Sequence, residues 1–222
     1  MHTDYVMRQV SLFAEMLVRI LGLRRRREYA AAVDAIGNTL DMLLRLPPDA
    51  LSTFSAAELF QRVETAAVGR EKCIFVAALL KEAGDVYVEQ EKLEEAAQFY
   101  LKALQLRLEL QLSLPDEGGS HAPYTPDVTE LLAKFDLTTL PLDTYSLLML
   151  YYEQIGAFSK AEDVLFEMRD AAADPVTLAE VVDMGSAFYR RLQQQSDAAL
   201  SAGNLSRDEV QAGLRELKTG GG

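Results

Sequence analysis

The sequence predicts an all-α protein, and three observations carry that prediction. Apolar residues recur at helical period along almost the whole 222-residue chain, and strict apolar/polar alternation never persists beyond a few positions. Only seven Pro and thirteen Gly interrupt it, which leaves room for long helices. Helix starts are also signalled repeatedly. Ser55 with Glu58, Ser159 with Glu162 and Ser206 with Glu209 have capping-box spacing, and Asp174 before Pro175 offers an N-cap with proline at the first helical position.

Taken in order, these signals predict helices over 4–23, 28–46, 55–68, 70–90, 93–112, 127–136, 143–155, 158–172, 176–202 and 206–218. Breaks fall at Leu46-Pro47-Pro48-Asp49, at Pro115 to Ser120 and at Leu140-Pro141. Two joints are only two or three residues long, 70–90 to 93–112 and 143–155 to 158–172, and such joints force antiparallel hairpins. The chain reads as one domain over 1–218 with a disordered tail at 219–222. A hydrophobic fraction of 49% at this length suffices to bury well over half the unfolded surface without disulfides or metals.

Thirty-four acidic against 22 basic residues give a formal charge of −12, a field that repels polyanions. Nucleic acid is therefore excluded as a partner. The lone Cys73 lies in the apolar run Cys73-Ile74-Phe75-Val76 and reads as a buried hydrophobe. Tyr5 to Leu23 is apolar enough to suggest an anchor, yet it contains Arg8, Glu15 and Arg19. An ionised side chain near the bilayer centre costs about 2.5 to 3.5 kcal/mol, so no stable membrane insertion is expected. With no basic n-region and no small-residue cleavage site, a signal peptide is not expected either, and the chain reads as cytoplasmic.

The hairpin at Leu80 to Ala103 carries the most specific pattern. Leu80, Gly84, Tyr87, Ala96, Tyr100 and Ala103 stand at tetratricopeptide spacing, and the segment resembles that repeat. The small Gly84 and Ala96 let two helices approach, while Tyr87 and Tyr100 fill the space beside them. Sixty-five residues on, Tyr152, Gly156, Phe158 and Ala161 take the places of Tyr87, Glu91, Leu93 and Ala96, with Met149 for Gly84 and Leu165 for Tyr100. A fainter copy places Tyr29 and Ala32 at the head of the second helix. The resemblance implies degenerate tetratricopeptide-like hairpins at 13–46, 77–112 and 143–172, stacked into a short curved array with inserted helices. The opening Asp4-Tyr5-Val6-Met7-Arg8-Gln9 also resembles a bacterial family of helical proteins with no assigned function.

Residues suited to catalysis are sparse. His2 and His121 lack partners at ligand or triad spacing, and no phosphate loop, nucleophile elbow or paired-cysteine site occurs, so no cofactor or metal is expected. Glu82, Asp85 and Glu89 share one helix face at spacings of three and four, which reads as a solvated face or groove before it reads as an acid/base site. Arg24 to Arg27 reads first as cations offsetting a helix C-terminus, and second as a contact for a membrane surface or an acidic partner.

The expected activity is therefore protein or peptide binding, not catalysis. On the tetratricopeptide register the groove would be lined by Lys81, Asp85, Val88 and Glu89, and by Ser146, Leu150, Glu153 and Gln154, a mixed and somewhat acidic set. Repeats of this kind that clamp a terminal carboxylate use Lys followed four residues later by Asn. Lys81 fits and Asp85 breaks the pattern. The alternative is a homodimer assembled through the apolar first helix, with Phe13, Leu17, Ile20 and Leu21 at the contact, since its polar positions Arg8, Ser11, Glu15 and Arg19 form only one stripe. An enzyme with an unfamiliar carboxylate site is a minor third reading.

Overall fold

Four of the described helix-to-helix joints are closed by one backbone device; at Asn204, with φ of 56°, the Leu205 N–H bonds the Leu200 carbonyl at 3.0 Å, and the other three correspond in register. At Arg27, Glu91 and Gly156 the chain takes a left-handed conformation with φ of 60°, 62° and 75°. In each case the next residue donates its N–H to the carbonyl five residues back: Glu28 to Leu23 at 3.0 Å, Lys92 to Tyr87 at 2.9 Å and Ala157 to Tyr152 at 2.8 Å. This is a Schellman closure, which satisfies the carbonyls a helix end leaves over and turns the chain back on itself. The three turns recur at the register expected from the side chains. Each is followed by an alanine buried at the same place, Ala32, Ala96 and Ala161.

The computed structural model describes residues 2–45, 54–64, 69–113 and 124–219, and their side chains except at 2–6, 64, 218 and 219. Within these the fold is all-α, with helices packed in pairs and no strand. The helices are α1 His2–Arg25, α2 Tyr29–Leu44, α3 Ala56–Glu64, α4 Gly69–Glu89, α5 Leu93–Ser113, α6 Val128–Leu132, α7 Leu142–Gln154, α8 Phe158–Ala171, α9 Pro175–Leu192, α10 Asp197–Ala202 and α11 Arg207–Thr219, with a 3-10 turn at Leu137–Thr139. The breaks predicted at 46–49 and 115–120, the end of the predicted 55–68 helix, His121 and residues 220–222 of the predicted tail lie outside the described residues. Thr219, placed in that tail, ends α11. The chain divides into two units, Met1–Asp136 and Leu137–Gly222, where the sequence reading places a single array.

In the first unit α4 is central. It packs against α1, α2, α3 and α5, and every residue from Cys73 to Leu80 is buried, followed by Glu82, Ala83, Gly84 and Val86. A helix apolar on all sides must be enclosed on all sides. Gly84 is required by this closeness, since a Cβ there would come within 2.5 Å of the Tyr100 ring on α5. Cys73 is buried as expected, with Sγ 3.9 Å from the Leu106 carbonyl.

In the second unit α7 and α8 form the hairpin, α8 packs on α9, and α9 packs on α11. Met149 and Leu165, standing where the first hairpin has Gly84 and Tyr100, are both fully buried. Room for Leu165 comes from Gly185 on α9, where a Cβ would lie 2.8 Å from it.

The capping boxes at Ser55/Glu58 and Ser206/Glu209 form reciprocally, and Asp174 caps α9 through the N–H groups of Val176 and Thr177. Three expectations need correction. Ser159 does not cap α8, because the Schellman turn already starts that helix at Phe158. The Ser159 N–H bonds instead to the Gly203 carbonyl, and Glu162 accepts from the Tyr189 hydroxyl at 2.6 Å. The helix predicted over 176–202 is two helices, since Ser196 caps a new start by accepting from the Ala199 N–H. The predicted 127–136 helix likewise shortens to Val128–Leu132.

Because Ala96 is 1% exposed in the α4–α5 hairpin, Ala96→Leu should overpack it and cost about 1 to 3 kcal/mol. Urea unfolding checks this, and an unchanged midpoint with an unchanged slope would show that the two helices do not approach as closely here as described.

Candidate functional site

The last two turns of α4 pose a problem that its neighbours must solve. Glu82 and Asp85 follow an enclosed apolar run, and their side chains are only 10% and 16% exposed. A carboxylate so placed needs cations and donors close by. Arg24, in the last turn of α1, supplies them: its guanidinium donates to Glu82 Oε2 at 2.6 Å and to Asp85 Oδ2 at 2.8 Å, and reaches Glu89 at 3.5 Å.

Other elements complete the cluster. Lys81 Nζ lies 3.1 Å from Asp85 and 3.0 Å from Glu130 on α6. Lys134 sits 3.8 Å from Asp85 and over the ring of Tyr100. The Tyr100 hydroxyl donates to Asp85 Oδ1 at 2.6 Å. Asp85 is the hub, receiving from three helices and the segment after α6.

The titration of these groups follows. Burial raises the pKa of Glu82, and the charge of Arg24 only partly opposes it. Burial pushes Asp85 the same way, but the Tyr100 hydroxyl and the Lys81 charge outweigh it and hold Asp85 below the usual range. Burial and the bond to Asp85 both raise Tyr100. Arg24 and Lys81, though partly desolvated, are held above their ordinary values by the surrounding carboxylates.

Beside this cluster lies a cavity of about 420 Å³ lined by Arg24, Asp85, Val88, Glu89, Tyr100 and Lys134. A second, of about 440 Å³, shares Arg24 and Glu89 with it and adds Arg25, Arg27 and Tyr29. Three of the four residues expected to line the first-repeat groove are therefore in one cavity wall. The fourth, Lys81, is bound into the ion network. The expected character needs correction: the two linings hold four cations against two carboxylates, so the mouth is basic rather than acidic. Among the described residues no His, Cys, Asp and Glu side chains group as a metal site requires.

The second predicted row lies in the second unit. Ser146 donates to the Leu142 carbonyl of its own helix, and Glu153 is held by the Arg191 guanidinium through two bonds of 2.6 and 2.7 Å. Leu150 and Gln154 are exposed on α7.

The self-association residues require a further correction. Phe13, Leu17 and Ile20 are buried within the first unit, Phe13 stacked on Phe75 at 4.4 Å, and Leu21 is half-buried. Phe13, Leu17 and Ile20 serve the first unit's own core and are unavailable to a second copy. The exposed apolar residues of α1 are Met7, Leu12 and Val18.

Sequence reasoning missed Arg24, Glu130 and Lys134 as members of the site and took Tyr100 as filler alone. The signal for a partner was Glu82, an acid inside a run of core residues. Nothing local pointed to Arg24, 58 residues away.

Removing that cation should expose the constraint. Arg24→Met is expected to destabilise the protein by about 2 kcal/mol at neutral pH, since it leaves Glu82 desolvated beside Asp85. Without Arg24 the pKa of Glu82 rises further, so protonation relieves the charge. The deficit should be full above that pKa and shrink as pH falls through it, and urea unfolding of both proteins at several pH values measures this. A deficit independent of pH would mean that Arg24 contributes packing only.

No described helix is long and apolar enough to cross a membrane. No curated protein and no solved structure matches the chain. A family described as a family of unknown function, DUF6483, matches residues 1–220, and the chain belongs to that family.

Proposed function

We propose that the protein is an interaction module that holds an acidic peptide or helix of a partner protein in its first unit, between the end of α1 and the end of α4. The observation that supports this most is the pair of cavities joined through Arg24 and Glu89, with an excess of cations on a chain of net charge −12. Arg24 and Lys134 are paired internally and so are fixed in position. Arg25 and Arg27 form no ion pair among the described residues and are exposed. Val88, 42% exposed between them and Tyr100, offers an apolar contact. This arrangement suits a segment carrying carboxylates beside one apolar side chain.

The carboxylates of α4 are engaged by Arg24, Lys81 and Lys134, which favours binding over acid/base chemistry as their role.

The reading is tested by placing a photo-crosslinking residue at Val88, and at Val176 as an exposed control, in the native host. The expected outcome is a discrete adduct from Val88 that Val176 does not give. The partner identified from it should bind the purified protein, and Arg25→Glu with Arg27→Glu should weaken binding by about tenfold or more, most at low salt. Identical adducts from both positions, or binding indifferent to both charge reversals, would refute it.

A further inference from the structure

The outer face of α1 has a pattern that neither its own core nor the proposed groove uses. Met7, Arg8, Ser11, Leu12, Glu15, Val18 and Arg19 are all exposed, and at about 100° per residue they occupy one arc of the helix. Met7 and Val18 are 60% and 67% exposed, and Leu12 is 44% exposed. Arg8, Glu15 and Arg19 form no ion pair within the chain among the described residues, although they flank one another on this face.

We propose that this face is a self-complementary surface on which a second copy of the chain docks with its α1 antiparallel, across a two-fold axis passing between Ser11 and Leu12. The charges argue for it. Arg8 and Glu15 lie symmetrically about that point, two helical turns or about 10.5 Å apart, so an antiparallel copy sets each arginine opposite the other chain's glutamate. Two equivalent ion pairs form from one arrangement.

The apolar residues obey the same axis. Leu12, on one flank of the arc, meets Leu12 of the second copy. On the other flank Met7 and Val18, about 20° apart around the helix, come within about 3 Å, measured along the helix, of Val18 and Met7 of the second copy. Ser11 is small where the helices cross, which permits close approach. A parallel copy would instead set Arg8 against Arg8 and Glu15 against Glu15, so the charges also choose the direction.

A contact built on one helix from each chain lies at the low end of specific interfaces, below about 1,200 Å², so association in the micromolar range is expected. Sedimentation equilibrium over roughly 5 to 200 μM brackets it. The unmutated protein should sediment as a monomer–dimer mixture. Arg8→Glu, or Glu15→Arg, sets like charges against each other in both pairs and should weaken the dimer by about tenfold or more. The double variant R8E/E15R reverses both members of each pair and should restore it. Both substituted positions are exposed, and circular dichroism confirms that each of the three variants keeps its helices.

A monomer at every concentration would overturn the proposal. So would an oligomer that the single reversals leave unchanged or that the double variant fails to recover. If the unmutated monomer instead cosediments with phosphatidylserine vesicles, the face belongs to an anionic membrane surface and the second copy is excluded. None of the substituted residues lines the cavities at Arg24, so this result and that for the partner groove can fail separately.

Discussion

The enclosure of α4 governs the first unit. Once the helix is covered by α1, α2, α3 and α5, the three charged residues Lys81, Glu82 and Asp85 that follow its apolar run have little water to turn to. Each must be met by something at a fixed place. Arg24 answers from α1, Glu130 from α6, and Tyr100 from α5, so α1, α4, α5 and α6 are tied through one network. Such networks add little net stability over a packed apolar cluster, because desolvation consumes most of the Coulombic gain. Their effect is on position. With these six groups satisfied in one geometry, sliding α1 along α4 by a single turn would take Arg24 away from Glu82 and leave that carboxylate beside Asp85.

The recurring turn shows how far backbone geometry can persist while side chains change. Gly156 takes the left-handed conformation freely, but Arg27 and Glu91 take it at a cost of order 1 kcal/mol. The bonds from Glu28 to Leu23 and from Lys92 to Tyr87 recover that cost by satisfying carbonyls that would otherwise be left over. Inside the hairpins, size is exchanged rather than lost. The first places its small residue at Gly84 and its large one at Tyr100, whereas the second fills both places with Met149 and Leu165 and finds its small residue on a third helix, at Gly185.

What could be read from the chain is what depends on nearby residues. Helical period, the caps at Ser55, Asp174 and Ser206, the buried alanines and the Gly84 to Tyr100 contact all follow from spacings within a hairpin. What could not be read depends on residues brought together from afar, or on competition between local signals. Arg24 is a plausible helix-ending cation wherever Glu82 happens to lie. Ser159 with Glu162 is a sound capping box until the preceding turn has already started the helix. In α1, the period identified the polar stripe, and the structure leaves Arg8, Ser11, Glu15 and Arg19 exposed. It could not say that the chain's own α4 covers Phe13, which is why the face expected to self-associate is buried instead.

A basic mouth on an acidic protein has a consequence for the kind of partner it admits. At separations beyond the Debye length, about 8 Å at physiological salt, an approaching protein meets only the residue of a field set by a net charge of −12. A uniformly acidic partner would meet net repulsion only as it comes within that length. Within contact range the balance reverses, because the nearest charges at the mouth are cations and the carboxylates behind them are already paired. The arrangement therefore selects, in the proposed reading, for a segment that is acidic locally on a body that is neutral or basic overall. That is discrimination by two ranges of the same force, and it needs no residue beyond those that the enclosure of α4 already fixes in place.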